Sequence, residues 1–169
     1  MQKHSLLYPN YGTVESYTLN NLMPLIATNR RAFFDYDILT KYEAGLVLSG
    51  QETKSVKTGH MSIKGSFVTI KGRELYLTNA LIPLYRHAGN VKNYDPTQPR
   101  KILLKKAEIK HIFGRVPVAG LTLVPLRVYT KRRYVKLEFG IGRGRKKHDK
   151  RAAISKRETK RRIQRVLKN

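Results

Sequence analysis

The chain has 169 residues and carries 35 Lys/Arg against 11 Asp/Glu, a net charge of +24. That length suits one domain with extensions, and a 40% apolar content can fill a core of roughly 100–120 residues. Cysteine is absent, which excludes a disulfide framework and thiolate metal sites, and the histidines at 4, 60, 87, 111 and 148 show no paired ligand spacing.

Such an excess of cations calls for a polyanionic partner, nucleic acid before an anionic membrane surface. The basic C-terminal stretch lacks the Trp/Phe/Leu face of an interfacial helix, and no apolar run approaches a membrane span. Leu22 to Ala27 is short and broken by Pro24, which argues against a signal peptide. Residues 1–28 hold one Lys and no Arg, which argues against a transit peptide. The expected compartment is the cytoplasm, with no membrane partner, and the chain is expected to act as a monomer.

Residues 1–28 mix Tyr, Asn, Ser and Leu without a period. They read as an N-terminal extension, flexible or loosely docked, with an extra strand as the alternative. Asn29-Arg30-Arg31-Ala32 is a basic entry to the body. Phe34, Tyr36 and Ile38 alternate with Asp35 and Asp37, which predicts a half-buried strand. Tyr42 to Leu48 continues in strand character, and Gly45 suggests a bulge or a bend. Ser49 to Gly59 predicts a short helix: Ser49 caps it, Glu52 completes a capping box, and Gly59 suits a left-handed stop.

Phe67–Ile70 and Leu75–Leu77 flank Lys71-Gly72-Arg73-Glu74 and predict a hairpin. Ile82 to Pro99 is loop-like, and Ile102-Leu103-Leu104 is a short apolar run. Lys105 to Phe113 predicts a helix with Ile109, Ile112 and Phe113 on one side and Gly114 as its stop. Leu121 to Tyr129 predicts a strand, with Pro125 at an edge or a bulge. Lys131-Arg132-Arg133 turns the chain. Val135, Leu137, Phe139 and Ile141 then alternate with Tyr134, Lys136 and Glu138 in the clearest strand pattern present. Gly140, Gly142 and Gly144 read as a flexible joint. The expectation is a mainly β body over 29–142, a small antiparallel barrel of about six strands with short flanking helices.

Residues 143–169 form a basic tail with 13 Lys/Arg, two acids and a net charge of +11. Such a segment repels itself and buries too little to fold alone. On a helix from Lys150, Ala152, Thr159, Ile163, Val166 and Leu167 share a narrow stripe interrupted by Lys156, and Glu158 pairs with Arg162 at i, i+4. Two readings stand: a helix that forms when RNA neutralises its basic face, or a solvated tail adding electrostatic affinity alone.

Catalysis has little support. Gly140-Ile141-Gly142-Arg143-Gly144 lacks the spacing and the Lys-Ser/Thr ending of a phosphate loop. Asp35 and Asp37 read as an exposed strand face. No Ser-His-acid or Cys-His grouping is legible, so neither an enzyme nor a cofactor is expected. RNA binding is better supported, because irregular RNA is held by aromatic stacking beside Arg and Lys. Ten Tyr and five Phe accompany the cations. Tyr129 and Tyr134 bracket Lys131-Arg132-Arg133, and Tyr85, Arg86 and His87 share the long loop.

Three groups of residues then resemble a known family. Asn29-Arg30-Arg31-Ala32, Tyr42-Glu43-Ala44-Gly45 and Gly50-Gln51-Glu52-Thr53-Lys54-Ser55 resemble the opening of the SsrA-binding protein (small protein B) family. Asp95-Pro96 with Arg100-Lys101-Ile102-Leu103-Leu104 is similar to its central signature. Gly120 to Leu126 and Gly142 to Arg151 are similar to its later ones. The resemblance runs from Asn29 to Lys168.

It implies an oligonucleotide-binding-type barrel with two or three short helices and a tail that is disordered alone and helical on the ribosome. It implies binding to the tRNA-like part of tmRNA (SsrA RNA) and delivery to stalled ribosomes in trans-translation. The tail would occupy the empty mRNA channel beside the 16S rRNA decoding centre, and elongation factor Tu with the charged tmRNA would be a further partner. By this resemblance Asn29, Glu43, Leu103 and Lys136 contact tmRNA, with Arg30 and Arg31 beside them. Arg143, Arg145, Lys146 and Lys147, then His148-Asp149-Lys150-Arg151 and Ile154, serve the decoding-centre tail.

These roles are physically reasonable. Lys136 is a cation for phosphate on an exposed strand face. Glu43 would accept hydrogen bonds from base amines. His148 can stack on a base or donate to phosphate. Leu103 either packs on a nucleotide or belongs to the core. The 28-residue extension falls outside the family pattern, and Gly142 and Arg145 vary a motif more often written with Ala and Lys. The rival readings are a structural ribosomal protein, which composition favours, and an RNA-modifying enzyme.

Overall fold

A computed structural model describes residues 24–89, 93–116, 120–146 and the single positions 159, 163 and 164. Its elements in chain order are β1 (Leu25–Thr28), α1 (Ala32–Asp35), β2 (Tyr36–Leu46), α2 (Gly50–Lys57), β3 (Phe67–Lys71), β4 (Glu74–Thr78), β5 (Arg100–Leu103), α3 (Lys106–Arg115), β6 (Leu121–Lys131) and β7 (Tyr134–Gly144). The strands make one antiparallel sheet in the order β1-β6-β7-β2-β5-β4-β3. The sheet curls until β3 lies beside β6, but no ladder joins them and the barrel is not closed. A cleft of about 340 Å³ fills the gap, lined by Arg31, Lys64, Phe67 and Val124 among others.

Alternation builds the core. Val135, Leu137, Phe139 and Ile141 of β7 point inward with Val128 of β6, Ala44 of β2 and Leu75 and Leu77 of β4. Ile112 is fully buried, and Ile109 and Phe113 pack beside it against the core, as the helical spacing predicts. The α2 cap also forms as predicted: the Glu52 N–H donates to Ser49 Oγ at 3.2 Å, and the Ser49 N–H donates to Glu52 Oε2 at 2.9 Å.

Several local expectations give way to tertiary contacts. Leu25–Thr28, expected within the extension, is a strand paired with β6. Phe34 and Asp35 lie in a helical turn instead of a strand. There Asn29 Oδ1 accepts the Ala32 N–H at 3.2 Å, and Arg31 pairs with Asp35 at 3.6 Å. The strand character read on either side of Lys41 is one continuous strand, β2, and its bulge falls between Ile38 and Thr40 instead of at Gly45. Pro125, by contrast, meets the second of its two expected settings: its strand is interior, but a bulge between Pro125 and Arg127 accommodates the missing N–H. Helix α3 runs through Gly114 to Arg115.

The glycines expected as a joint are strand residues. Gly140 and Gly142 are buried in β7 against β2. A Cβ on Gly140 would lie 2.6 Å from Ile38 Cγ2 and 3.1 Å from the Thr40 carbonyl oxygen. Gly140→Ala should therefore lower stability by about 1–3 kcal/mol, outweighing the entropy that alanine removes from the unfolded chain. An unchanged denaturant midpoint would show that β2 yields freely there.

One ionic network is buried. The Arg100 Nε and Nη2 donate to Glu52 Oε1 at 3.0 and 2.8 Å, and its Nη1 donates to the Ala80 carbonyl at 2.6 Å. Gln98 Nε2 donates to the same Glu52 oxygen at 3.0 Å. Burial alone would raise the Glu52 pKa, but the Ser49 N–H, Gln98 and Arg100 outweigh it and hold the carboxyl below its ordinary range. Glu52 therefore binds its proton more weakly folded than unfolded. Its contribution is whole above the unfolded value and is lost as the pH falls through the lowered folded one. Urea midpoints should fall between pH 7 and pH 3, less steeply in Glu52→Gln; parallel declines would remove Glu52 as a source.

Among the described residues no helix is long and apolar enough to cross a membrane.

Candidate nucleic-acid interface

The outward faces of β5, β2, β7 and β6 line up side chains by register. Gly45 sits opposite Leu103 on one side and Lys136 on the other, and Lys136 sits opposite Tyr129. Two residues along the strands, Glu43 sits opposite Glu138, which sits opposite Arg127. Cross-strand partners point to the same face, so Leu103, Lys136 and Glu43, distant in sequence, share one surface. Gly45 adds no side chain to the row, and Leu103 lies over it; a Cβ there would meet Leu103 Cβ at 3.5 Å.

Leu103 is 53% exposed, which settles its alternatives in favour of a surface residue. An exposed apolar side chain on a charged face is a platform on which a base or ribose can pack. On the same face Lys41, Arg127, Lys131 and Lys136 set four cations against Glu43 and Glu138. Arg127 Nε donates to Glu138 Oε2 at 2.6 Å, and Lys41 lies 3.9 Å from the other Glu138 oxygen. Lys131 Nζ donates to Glu43 at 3.1 Å, with Lys136 Nζ at 3.9 Å. The Glu43 pairs are open to solvent and add little stability, while the Glu138 carboxylate is largely covered. Their consequence is electrostatic: the face is cationic, with acceptor carboxylates at set places.

Glu43 has a further partner, the hydroxyl of Tyr129, which donates to its Oε2. That hydrogen bond, with Lys131 and Lys136 behind it, holds Glu43 below the usual carboxylate range. Tyr129 moves the other way. Burial first, then the Glu43 carboxylate, raises its pKa well above the ordinary value, so it remains a donor. Sequence reasoning saw Tyr129 only as a bracket to a basic turn. Its pairing with Glu43 spans 86 positions and leaves no local signal.

Asn29, Arg30 and Arg31 lie apart from this row, at the β1–α1 connection. Asn29 Nδ2 donates to the Pro125 carbonyl at 3.1 Å, and its backbone N–H donates to the Leu126 carbonyl at 2.8 Å. Asn29 is thus engaged in shaping the chain beside β6, while Arg30 and Arg31 are exposed. Of the tail residues, Arg143 is an exposed β7 residue opposite Asp37 and Leu121. Arg145 donates its backbone N–H to the Asp35 carbonyl at 2.9 Å, and its guanidinium lies 3.9 Å from Asp37. Lys146 is exposed. Lys147, His148, Asp149, Lys150, Arg151 and Ile154 lie outside the described residues. Thr159, Ile163 and Gln164 have helical backbone and are exposed.

The family model of the SmpB protein matches residues 26–169. The SsrA-binding protein of Thermosipho melanesiensis is 47% identical over 147 residues, covering 86% of this chain and 99% of its own. That of Chloroflexus aggregans is 46% identical over 151 residues, covering 89% of this chain and 96% of its own. Among solved structures, a chain described under "tmRNA-SmpB: a journey to the center of the bacterial ribosome" superposes with a TM-score of 0.58 at 43% identity. That match covers 75% of this chain and 92% of the other. On the family model and on relatives matched along almost their full length, this chain belongs to the SmpB (SsrA-binding protein) family.

Proposed function

We propose that this chain binds tmRNA with the β5–β2–β7–β6 face, carries it to stalled ribosomes, and senses an empty mRNA channel with its basic C-terminal segment. The observation that carries the reading is the register that gathers Leu103, Lys136 and Glu43 on one exposed cationic face. In this reading Lys136 meets phosphate, Leu103 packs on a nucleotide, and Glu43 accepts from a base edge. Arg30 and Arg31 extend the phosphate contact past the sheet edge, and Asn29 acts by holding that connection in place.

Residues from Arg143 onward carry a net +11 and suit an RNA-walled tunnel. Message already in the tunnel excludes them by volume and by charge, so entry reports a vacant path. Arg143, Arg145 and Lys146 launch the segment from the end of β7. Lys147, Lys150 and Arg151 then supply phosphate contacts near the decoding centre, with His148 for stacking, Asp149 as an acceptor and Ile154 as an apolar contact. The work is binding and delivery, with no reaction performed by the protein, in the cytoplasm where its ribosomal target resides. Elongation factor Tu arrives on the same RNA.

Sequencing the RNA that co-purifies from cells tests the reading. tmRNA should dominate, at substoichiometric ribosome occupancy that rises with stalling. Stoichiometric recovery with all ribosomes would favour a structural ribosomal protein. Binding should also depend on salt. Lys136→Ala should weaken affinity and reduce the log-log salt slope by about one; an unchanged slope would remove Lys136 from the phosphate contacts.

A further inference from the structure

Glu43 presents a physical problem. An acid on a face meant for RNA repels phosphate, and a flexible one would fold back onto the nearest lysine. Its rotamer is nonetheless held from two sides. Lys131 reaches it from the end of β6 at 3.1 Å, and Tyr129 donates to the other oxygen from beneath. Tyr129 is 7% exposed, so its ring is part of the packed sheet and its hydroxyl emerges at a fixed point. The Arg127 guanidinium lies over that ring, 5.8 Å from its centroid. Glu138, from the neighbouring row, pairs with that Arg127, and Lys136 flanks Glu43 at 3.9 Å.

We infer that Tyr129 is the positioning residue that holds the Glu43 carboxylate upright as an acceptor for the amine or imino donors of a nucleobase edge. The inference rests on the assignment of this face to tmRNA. A phosphate strand offers Glu43 nothing but repulsion. A splayed base with exposed N–H donors offers it hydrogen bonds that a preset carboxylate meets without further ordering. Specificity follows as a difference: generic RNA is penalised by Glu43, and RNA with a suitable base edge is rewarded. Tyr129 supplies the geometry that makes the reward available. Because its hydroxyl remains protonated, the donor persists across the physiological range.

The test uses Tyr129→Phe in the full-length chain, with two RNAs of equal length: the tRNA-like part of tmRNA and an unrelated RNA. Phenylalanine keeps the buried ring, so the denaturant midpoint should match wild type. Affinity for the tRNA-like RNA should fall about tenfold, the scale of one hydrogen bond to a charged group. Affinity for the control RNA and the salt slope should not change, since no phosphate contact is lost. The Glu43 carboxyl, followed by NMR, should titrate closer to an ordinary glutamate. Tyr129→Phe should add nothing to Glu43→Gln, as expected of one unit.

Equal losses on both RNAs, wild-type affinity for the tRNA-like RNA, or additive losses in the double variant would overturn the inference. If wild type itself shows no preference between the RNAs, the assignment of this face to tmRNA fails. The Glu43 titration then still decides whether Tyr129 positions it.

Discussion

Ending the chain after Lys146 should leave tmRNA binding nearly intact while reducing tagging of stalled nascent chains by a factor on the order of a hundred or more, since many phosphate contacts vanish together. The cut is set by the structure. Arg143 and Gly144 still pair with Asp37 and Tyr36, and Arg145 donates to the Asp35 carbonyl. A cut after Gly142 would strip the last rungs of the β2–β7 ladder and confuse folding with function. Beyond Lys146 the sequence is dense in Lys and Arg, and its apolar positions make a stripe too thin to hold a helix in water. On the reading proposed above, RNA supplies the free energy that orders it. Equal loss of binding and tagging would refute the division of labour between sheet and tail.

Arg100→Leu should destabilise the fold by about 3–5 kcal/mol, the scale of leaving a buried charge without its partner. Arg100 and Glu52 are 2% and 3% exposed. Leucine would strand the Glu52 carboxylate and the Ala80 carbonyl, and would deprive the Tyr94 hydroxyl of a donor 3.3 Å away. Glu52→Gln should cost less, because an amide can still accept from Arg100. RNA affinity should fall in Arg100→Leu only as far as the unfolded fraction rises, since Arg100 points inward from the strand that carries Leu103 outward. A denaturant midpoint shift worth less than about 1 kcal/mol, far below that of an uncompensated buried charge, would contradict the account of this network.

What could be read from the residues was local in origin. The Ser49–Glu52 cap, the β3–β4 hairpin and the β7 alternation each rest on contacts within a few positions, and each forms. What escaped reading rests on distant partners. Arg100 and Glu52 are 48 positions apart, and neither looks buried by type. Phe34 and Asp35 alternate like a strand, but the helical turn they occupy is anchored through Ala32 to Asn29, which is tied to Pro125, 96 positions away. Gly140 and Gly142 look like a joint because glycine is locally permissive. Their actual role is to let β7 pass close to Ile38, which no local pattern reports.

The candidate site divides in the same way. Along the sequence, family resemblance points to Glu43, Leu103 and Lys136 one at a time, and their convergence follows from sheet order and register. The alternatives for Leu103 could not be resolved along the sequence, because the run Ile102-Leu103-Leu104 does not say which member faces out. Pairing with Gly45 decides it.

The central claim is that tmRNA lies on the outward face of β5, β2, β7 and β6. Amide chemical-shift mapping of the body while the tRNA-like part of tmRNA is added tests it most directly. The account predicts the largest changes at Leu103, Gly45, Lys136, Glu43 and Tyr129, with the β3–β4 hairpin unmoved. Changes centred instead on that hairpin or on α2, with the four-strand face silent, would contradict it.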